Sequence, residues 1–187
     1  MAVVMHWFRR DLRLVDNTAL NAATAAGEVL PVFVLDPEIL QRPDTAERRL
    51  AFLYAGLRAL DAELRERGSR LLLSTGEPAA ILRDLARRHH AAGLFFNRDY
   101  EPYATQRDAR VTAALTAEGL AVHSSRDDVI AELRDLPGPR PFRVFTPFYR
   151  AWLAGPAQAP AGRAYHTCAA GARSWPRSQI VRCTPPG

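Results

Sequence analysis

Five charged side chains of this sequence stand at positions where chemistry is possible, four of them after apolar runs. Arg9 comes directly after the first apolar run, Asp36 directly after the second, and Asp99 and Glu101 shortly after the fourth. Arg49 stands early in a long helical pattern. In an open parallel sheet, the loops that follow the carboxyl ends of the strands border one ligand-binding crevice. We therefore expect these five side chains to meet at one crevice.

The residue types at this crevice indicate binding rather than catalysis. The sequence offers no Ser-His-Asp order, no activated cysteine and no glycine-rich phosphate cradle after the first strand. Its two cysteines, Cys168 and Cys183, form no zinc-type cluster with histidines. All 25 basic residues are arginines, which excludes lysine-dependent chemistry such as a Schiff base. We predict no catalytic residue, no metal site and reduced thiols.

Alternating strand-like and helical patterns predict the elements that position this crevice. The continuous apolar character of the second run is typical of a central parallel strand covered on both faces. Helical patterns between the runs favour right-handed crossovers. The sequence therefore predicts an α/β fold with a five-stranded doubly wound, Rossmann-like parallel sheet and helices on both faces. The predicted strands are Val3–Phe8, Val29–Leu35, Leu71–Leu73, Leu94–Phe96 and Leu120–His123.

Local signals predict where several helices begin and end. Gly27 is expected to close the first helix in the left-handed conformation. Asp44 or Thr45 is expected to cap the long helix that carries Arg49. A short helix is predicted around residues 129–136, and a last helix is predicted to start with Thr146 as its cap.

Composition divides the chain into a predicted domain, residues 1–153, and a predicted disordered tail, residues 154–187. From Ala154 onward there are four arginines and no acidic residue, so most of the net charge of +5 belongs to the tail. The tail is too poor in large apolar residues to offset its ordering entropy. The domain itself shows no basic excess that would favour nucleic acid. No membrane-spanning or signal-like run is present, so we expect a cytoplasmic monomer.

Three stretches of the sequence resemble one protein family. The run Trp-Phe-Arg-Arg-Asp-Leu-Arg-Leu from Trp7, followed by Asp16-Asn17, resembles the opening of the antenna domain of DNA photolyases and cryptochromes. Residues 96–103 resemble that family's fourth loop, and residues 144–152 resemble its closing motif. The resemblance identifies residues 3–153 as the N-terminal antenna domain of a class I DNA photolyase, without the FAD domain that follows it in the family.

This resemblance implies an accessory pigment as ligand. Folate-binding members have Asn-Glu where this chain has Tyr103-Ala104, whereas deazaflavin-binding members resemble the Asp-x-Glu-Pro-Tyr form of residues 99–103. An 8-hydroxy-5-deazaflavin is therefore favoured over methenyltetrahydrofolate. By the same resemblance one group of residues would meet the polar edge of the pigment, namely Arg9, Asp36, Arg49, Asp99 and Glu101. A second group would lie along its ring, namely Phe33, Val34 and Leu35.

The resemblance also implies a role in the repair of UV-induced pyrimidine dimers. Dimer splitting requires a reduced flavin, so the chain alone is expected not to catalyse repair and to meet DNA only through the FAD domain. The tail is interpreted as a truncated or frameshifted linker. Two alternatives remain open: a stand-alone module that binds an adenine nucleotide in the crevice, and a cryptochrome-like sensory module.

Overall fold

The computed structural model describes residues 2–42, 46–138 and 141–155. Within them a five-stranded sheet has the order β3-β2-β1-β4-β5, and every neighbouring pair of strands is parallel. This topology confirms the predicted doubly wound α/β fold. The strands are β1 (Val3–Phe8), β2 (Glu28–Leu35), β3 (Leu72–Thr75), β4 (Gly93–Asn97) and β5 (Ala121–Ser125).

Helices pack on both faces of the sheet. Because successive side chains of a strand point to opposite faces, Phe33 and Leu35 join the core beneath the first and third helices, while Val32 and Val34 join the core beneath the fourth and fifth. The helices are α1 (Thr18–Ala26), α2 (Pro37–Leu40), α3 (Glu47–Glu66), α4 (Pro78–His89), α5 (Pro102–Thr116) and α6 (Phe145–Ala154).

The prediction of a left-handed Gly27 is wrong. Its φ of 173° is extended, and any residue can adopt that conformation. The position needs glycine for a steric reason, because a Cβ there would lie 2.2 Å from the carbonyl oxygen of Ala2. A left-handed residue does end α4, but it is His90, with φ 49°.

Three other helix predictions differ from the structure or lie outside it. Thr146 is not a cap, because α6 begins one residue earlier and its N-cap Val144 makes no side-chain capping bond. The predicted helix at residues 129–136 is reduced to a single 3₁₀ turn, Leu133–Asp135. Asp44 and Thr45 lie outside the described residues, as does the predicted tail from residue 156 onward.

Candidate functional site

A cleft of about 460 Å³ opens at the carboxyl edge of the sheet, above β2 and beside the N-terminus of α5. This volume falls in the range of about 300–1,000 Å³ that is typical of small-molecule sites. The structure brings all of the sequence-predicted site residues to this cleft: Arg9, Phe33, Val34, Leu35, Asp36, Arg49, Asp99 and Glu101.

The floor of the cleft is apolar. Phe33, Val34 and Leu35, the last three residues of β2, line it and are almost fully buried. Leu40 and Leu53 extend the apolar surface from α2 and α3. The floor therefore offers a flat ligand ring an area where contact is driven by the removal of apolar surface from water.

Arg9 forms part of the inner wall, and its charge is already compensated. Its side chain is 8% exposed and forms an ion pair with Asp108. Its guanidinium carbon lies 4.9 Å from the centroid of the Trp7 ring and 4.8 Å from that of Phe96. Arg107 stacks on Trp7 at 4.9 Å and pairs with the same Asp108 at 2.9 Å. One partly buried carboxylate thus pairs with two arginines that lie over the aromatic wall.

Asp36 acts as an anchor within the wall. It is 6% exposed, and its Oδ1 accepts a hydrogen bond from the backbone N–H of Glu38 at 3.0 Å, which caps α2. Its Oδ2 accepts a hydrogen bond from the hydroxyl of Tyr103. Burial and then this hydrogen bond raise the pKa of Tyr103. Asp36 therefore fixes the phenol ring that closes this side of the cleft.

The rim carries the exposed charges. Arg10 donates a hydrogen bond to Glu101 at 2.7 Å and lies 3.7 Å from Asp99. The hydrogen bond that Arg10 donates to Glu101 raises the pKa of Arg10. Arg49 is exposed in the first turns of α3. Solvent-exposed pairs of this kind contribute about 0–1 kcal/mol each, so these side chains can rearrange toward a ligand at small cost.

A second, smaller crevice lies where the strand order reverses, between β1 and β4. Open α/β sheets ordinarily bind ligands at this point, but here the free volume is about 60 Å³. The amide of Asn97 fills it by donating hydrogen bonds to Asp11 at 2.6 Å and to the side chain of Asn17 at 2.8 Å. This network links the first loop to β4, so the cleft above β2 offers more room than the crevice at the strand-order reversal.

His6 is fully buried in β1, close to this network. Neither of its ring nitrogens has a hydrogen-bond partner. Burial lowers the pKa of His6 to about 4, although the nearby carboxylate of Asp11 opposes this shift. For Asp11 itself burial acts to raise the pKa, but His6, the backbone N–H of Arg9 and the amide of Asn97 together lower it.

Nine further residues line the cleft that the sequence did not predict as site residues: Trp7, Arg10, Ile39, Leu40, Arg42, Leu53, Tyr103, Ala104 and Arg107. Tyr103 and Arg107 are four residues apart, a spacing that places both on one face of a helix. That spacing is the one sequence signal that could have indicated Tyr103 and Arg107 as neighbours in the site. Among the described residues no cluster of histidine, cysteine and acidic side chains has the geometry to hold a metal ion. No helix in the same ranges has both the length and the apolarity to cross a bilayer.

Comparison with known proteins gives a consistent set of matches. The DNA photolyase family model matches residues 4–164, a range that extends past Leu153 into the first part of the predicted tail. A deoxyribodipyrimidine photo-lyase of Synechococcus sp. (strain ATCC 27144 / PCC 6301) is 38% identical over 162 residues, which cover 85% of this chain and 34% of that protein. Cryptochrome-1 of Arabidopsis thaliana is 39% identical over 155 residues, or 80% of this chain and 22% of that protein.

A solved structure extends the similarity to three dimensions. An archaeal photolyase from Sulfolobus tokodaii, described with two FAD molecules and a novel light-harvesting cofactor, superimposes with a TM-score of 0.79 at 28% identity. The match covers 89% of this chain and 38% of that one. The chain therefore spans about a third of the length of the photolyases that it matches.

Proposed function

This chain belongs to the DNA photolyase family, and we propose that it serves as the light-harvesting domain of a DNA photolyase by binding a chromophore in the cleft above β2. The observation that carries the proposal is that the predicted polar and apolar site residues line one cleft of about 460 Å³. A bound chromophore would absorb light and pass its excitation energy to the FAD on which dimer repair depends. The residues of this chain would bind and orient that chromophore.

An 8-hydroxy-5-deazaflavin fits the chemistry of the cleft. Its planar three-ring system would lie on the floor formed by Phe33 and Leu35, and its polar edge would meet Arg49 and the Asp99 and Glu101 loop. The wall at Tyr103-Ala104 supports a deazaflavin over a folate. Tyr103 is already bonded to Asp36, and Ala104 is buried, so the Asn-Glu pair of folate-binding members would place a carboxylate in a closed position.

FAD is a second candidate ligand for the same cleft. The photolyase from Sulfolobus tokodaii is described with two FAD molecules, and its fold matches that of this chain. A flavin ring has the same planar shape as a deazaflavin ring, so the apolar floor does not distinguish the two. Direct titration with both compounds decides between them.

An adenine nucleotide is a weaker candidate, because the crevice at the strand-order reversal is filled. The amide of Asn97 and the carboxylate of Asp11 occupy the place where a mononucleotide would approach the sheet. We therefore expect ATP to bind more weakly than either ring ligand.

The test is calorimetry on the purified chain with 8-hydroxy-5-deazaflavin, FAD, methenyltetrahydrofolate and ATP. We expect the deazaflavin to bind most tightly, with one molecule per chain. The variant R49A should weaken it by about tenfold, the value of one charge-assisted hydrogen bond. R48A is the matched control, because Arg48 is the exposed neighbour of Arg49 and does not line the cleft. Equal effects of the two variants, or tightest binding of ATP, would overturn the proposal.

A repair assay tests whether this chain binds the chromophore without itself catalysing dimer repair. Because the cleft is assigned to light capture, the chain supplied with FAD, light and dimer-containing DNA should show no turnover. Repair by the chain alone would show that it contains an electron-transfer site and would overturn this assignment.

A further inference from the structure

Arg42 lines the chromophore cleft and has no role in the proposed binding of the ring. It stands two residues after the end of α2, and its guanidinium carbon lies 4.5 Å from the centroid of the Tyr103 ring. Within residues 2–42, 46–138 and 141–155, no carboxylate lies within ion-pair distance of Arg42. A partly buried arginine in a cleft without such a partner is suited to a negatively charged ligand group.

The stack on Tyr103 orients this guanidinium in advance. Tyr103 cannot swing freely, because its hydroxyl is bonded to the buried carboxylate of Asp36. A guanidinium that lies over a fixed ring keeps the N–H groups at its edge available for hydrogen bonds, and their fork matches two oxygens of a phosphate. Arg42 therefore loses little conformational freedom when it binds such a group.

The charge balance of the cleft also favours an anion. Three of the lining arginines, Arg9, Arg10 and Arg107, have carboxylate partners, whereas Arg42 and Arg49 have none among the described residues. Five arginines line the cleft, and they are set against four carboxylates: Asp36, Asp99 and Glu101 in the lining, and Asp108, which pairs with Arg9 and Arg107. A neutral ring would leave the remaining positive charge without a counterpart, while a phosphate group would supply one.

We propose that Arg42 is a specificity-determining residue that binds a phosphate at the end of the side chain of the chromophore, so that the cleft prefers the phosphorylated form. This inference rests on the proposed function, because it requires the ring to lie on the floor of β2. The volume of about 460 Å³ has room for a ring and a short chain.

The experiment compares two ligands that differ only in the phosphate: 8-hydroxy-5-deazariboflavin and its 5′-phosphate. Both are titrated by calorimetry into the full chain and into the variants R42A, R42K and R48A. The unmodified chain should bind the phosphate form about tenfold or more tightly. R42A should abolish this preference and leave the affinity for the phosphate-free compound unchanged. R42K should retain part of the preference, and R48A should retain all of it.

The outcomes separate this inference from the function on which it rests. Equal affinity of the unmodified chain for the two compounds would overturn the inference and leave ring binding intact. An equal loss for both compounds in R42A would show that Arg42 supports the ring wall through Tyr103, which also overturns the inference. Failure of both compounds to bind the unmodified chain would overturn the proposed function itself. Raising the salt concentration should reduce the preference, because it screens the ion pair.

Discussion

Replacing His6 with leucine should make the fold less sensitive to acid. The pKa of His6 is lowered by burial from 6.5 to about 4 in the folded chain, so the unfolded chain binds a proton more readily below pH 6.5. The contribution of neutral His6 to the free energy of unfolding is therefore fully present at neutral pH, and it is lost as the pH falls from about 6.5 to about 4. The loss from His6 reaches about 2 kcal/mol at pH 5 and roughly 3 kcal/mol below pH 4.

The choice of pH 5 separates His6 from Asp11. The lowered pKa of Asp11 means that its stabilising contribution is lost only as the pH falls below its ordinary value of 3.8. Urea unfolding measures the free energy of unfolding at pH 7.5 and at pH 5. Between these two pH values the unmodified chain should lose about 2 kcal/mol more than H6L loses. At pH 7.5, H6L should be as stable as the unmodified chain or more so, because it removes two buried nitrogens without partners.

Two variants make this result interpretable. H123Q changes an exposed histidine of β5 and should retain the full acid-dependent loss. H6Q is neutral and close in size to histidine, so its stability should show the same pH dependence as that of H6L. It replaces H6L in the test if leucine packs poorly at this position. The same acid-dependent loss in H6L and in the unmodified chain would refute the reasoning, since it would assign the effect to other groups.

Two further substitutions test the wall of the cleft and the entry to β2. D108N should lower the free energy of unfolding by about 3–5 kcal/mol, because Arg9 and Arg107 would both lose the carboxylate that compensates their buried charge. G27A should lower it by about 1–3 kcal/mol, because the added Cβ would lie 2.2 Å from the carbonyl oxygen of Ala2 and force the backbone apart. Urea unfolding at pH 7.5 measures both.

Each of these substitutions has a matched control. D84N breaks an exposed pair with Arg88 on α4 and should cost no more than about 1 kcal/mol. G56A adds a methyl group inside α3 next to a flexible leucine side chain and should be neutral or stabilising. If D84N were as costly as D108N, the burial of the charges around Asp108 would not be the cause of the loss. If G56A were as costly as G27A, the contact with the carbonyl oxygen of Ala2 would not be the cause.

The sheet and the convergence of its loops could be predicted from the sequence because both follow from local patterns. Continuous apolar runs such as that of β2 specify buried parallel strands, and parallel strands bring their following loops to one edge. For that reason Asp36 and Asp99, far apart in the chain, were expected at one cleft, and the structure places both there. Their roles as ligand contacts stay a prediction.

The partners within the wall could not be predicted, since they depend on side chains that meet only in three dimensions. No local pattern indicates that Asp108 compensates both Arg9 and Arg107, or that Tyr103 is bonded to Asp36. For the same reason the sequence did not indicate that Arg9 pairs with Asp108 or that Asp36 accepts a hydrogen bond from Tyr103; their contacts with a ligand stay a prediction. The requirement for glycine at position 27 likewise comes from the close approach of the carbonyl oxygen of Ala2, and not from the backbone conformation of Gly27 itself.

Trp7 gives the cleft a built-in optical reporter. Its indole is buried in the inner wall, with two guanidinium groups over its ring and Phe96 in edge contact, so its emission should be narrow and typical of a water-free surrounding. A dye that absorbs in the near ultraviolet and rests on the floor of β2 would lie within a few ångströms of this indole and quench it almost completely. With the tryptophans at positions 152 and 175 changed to phenylalanine, occupancy could be followed in dilute solution from the brightness of a single side chain.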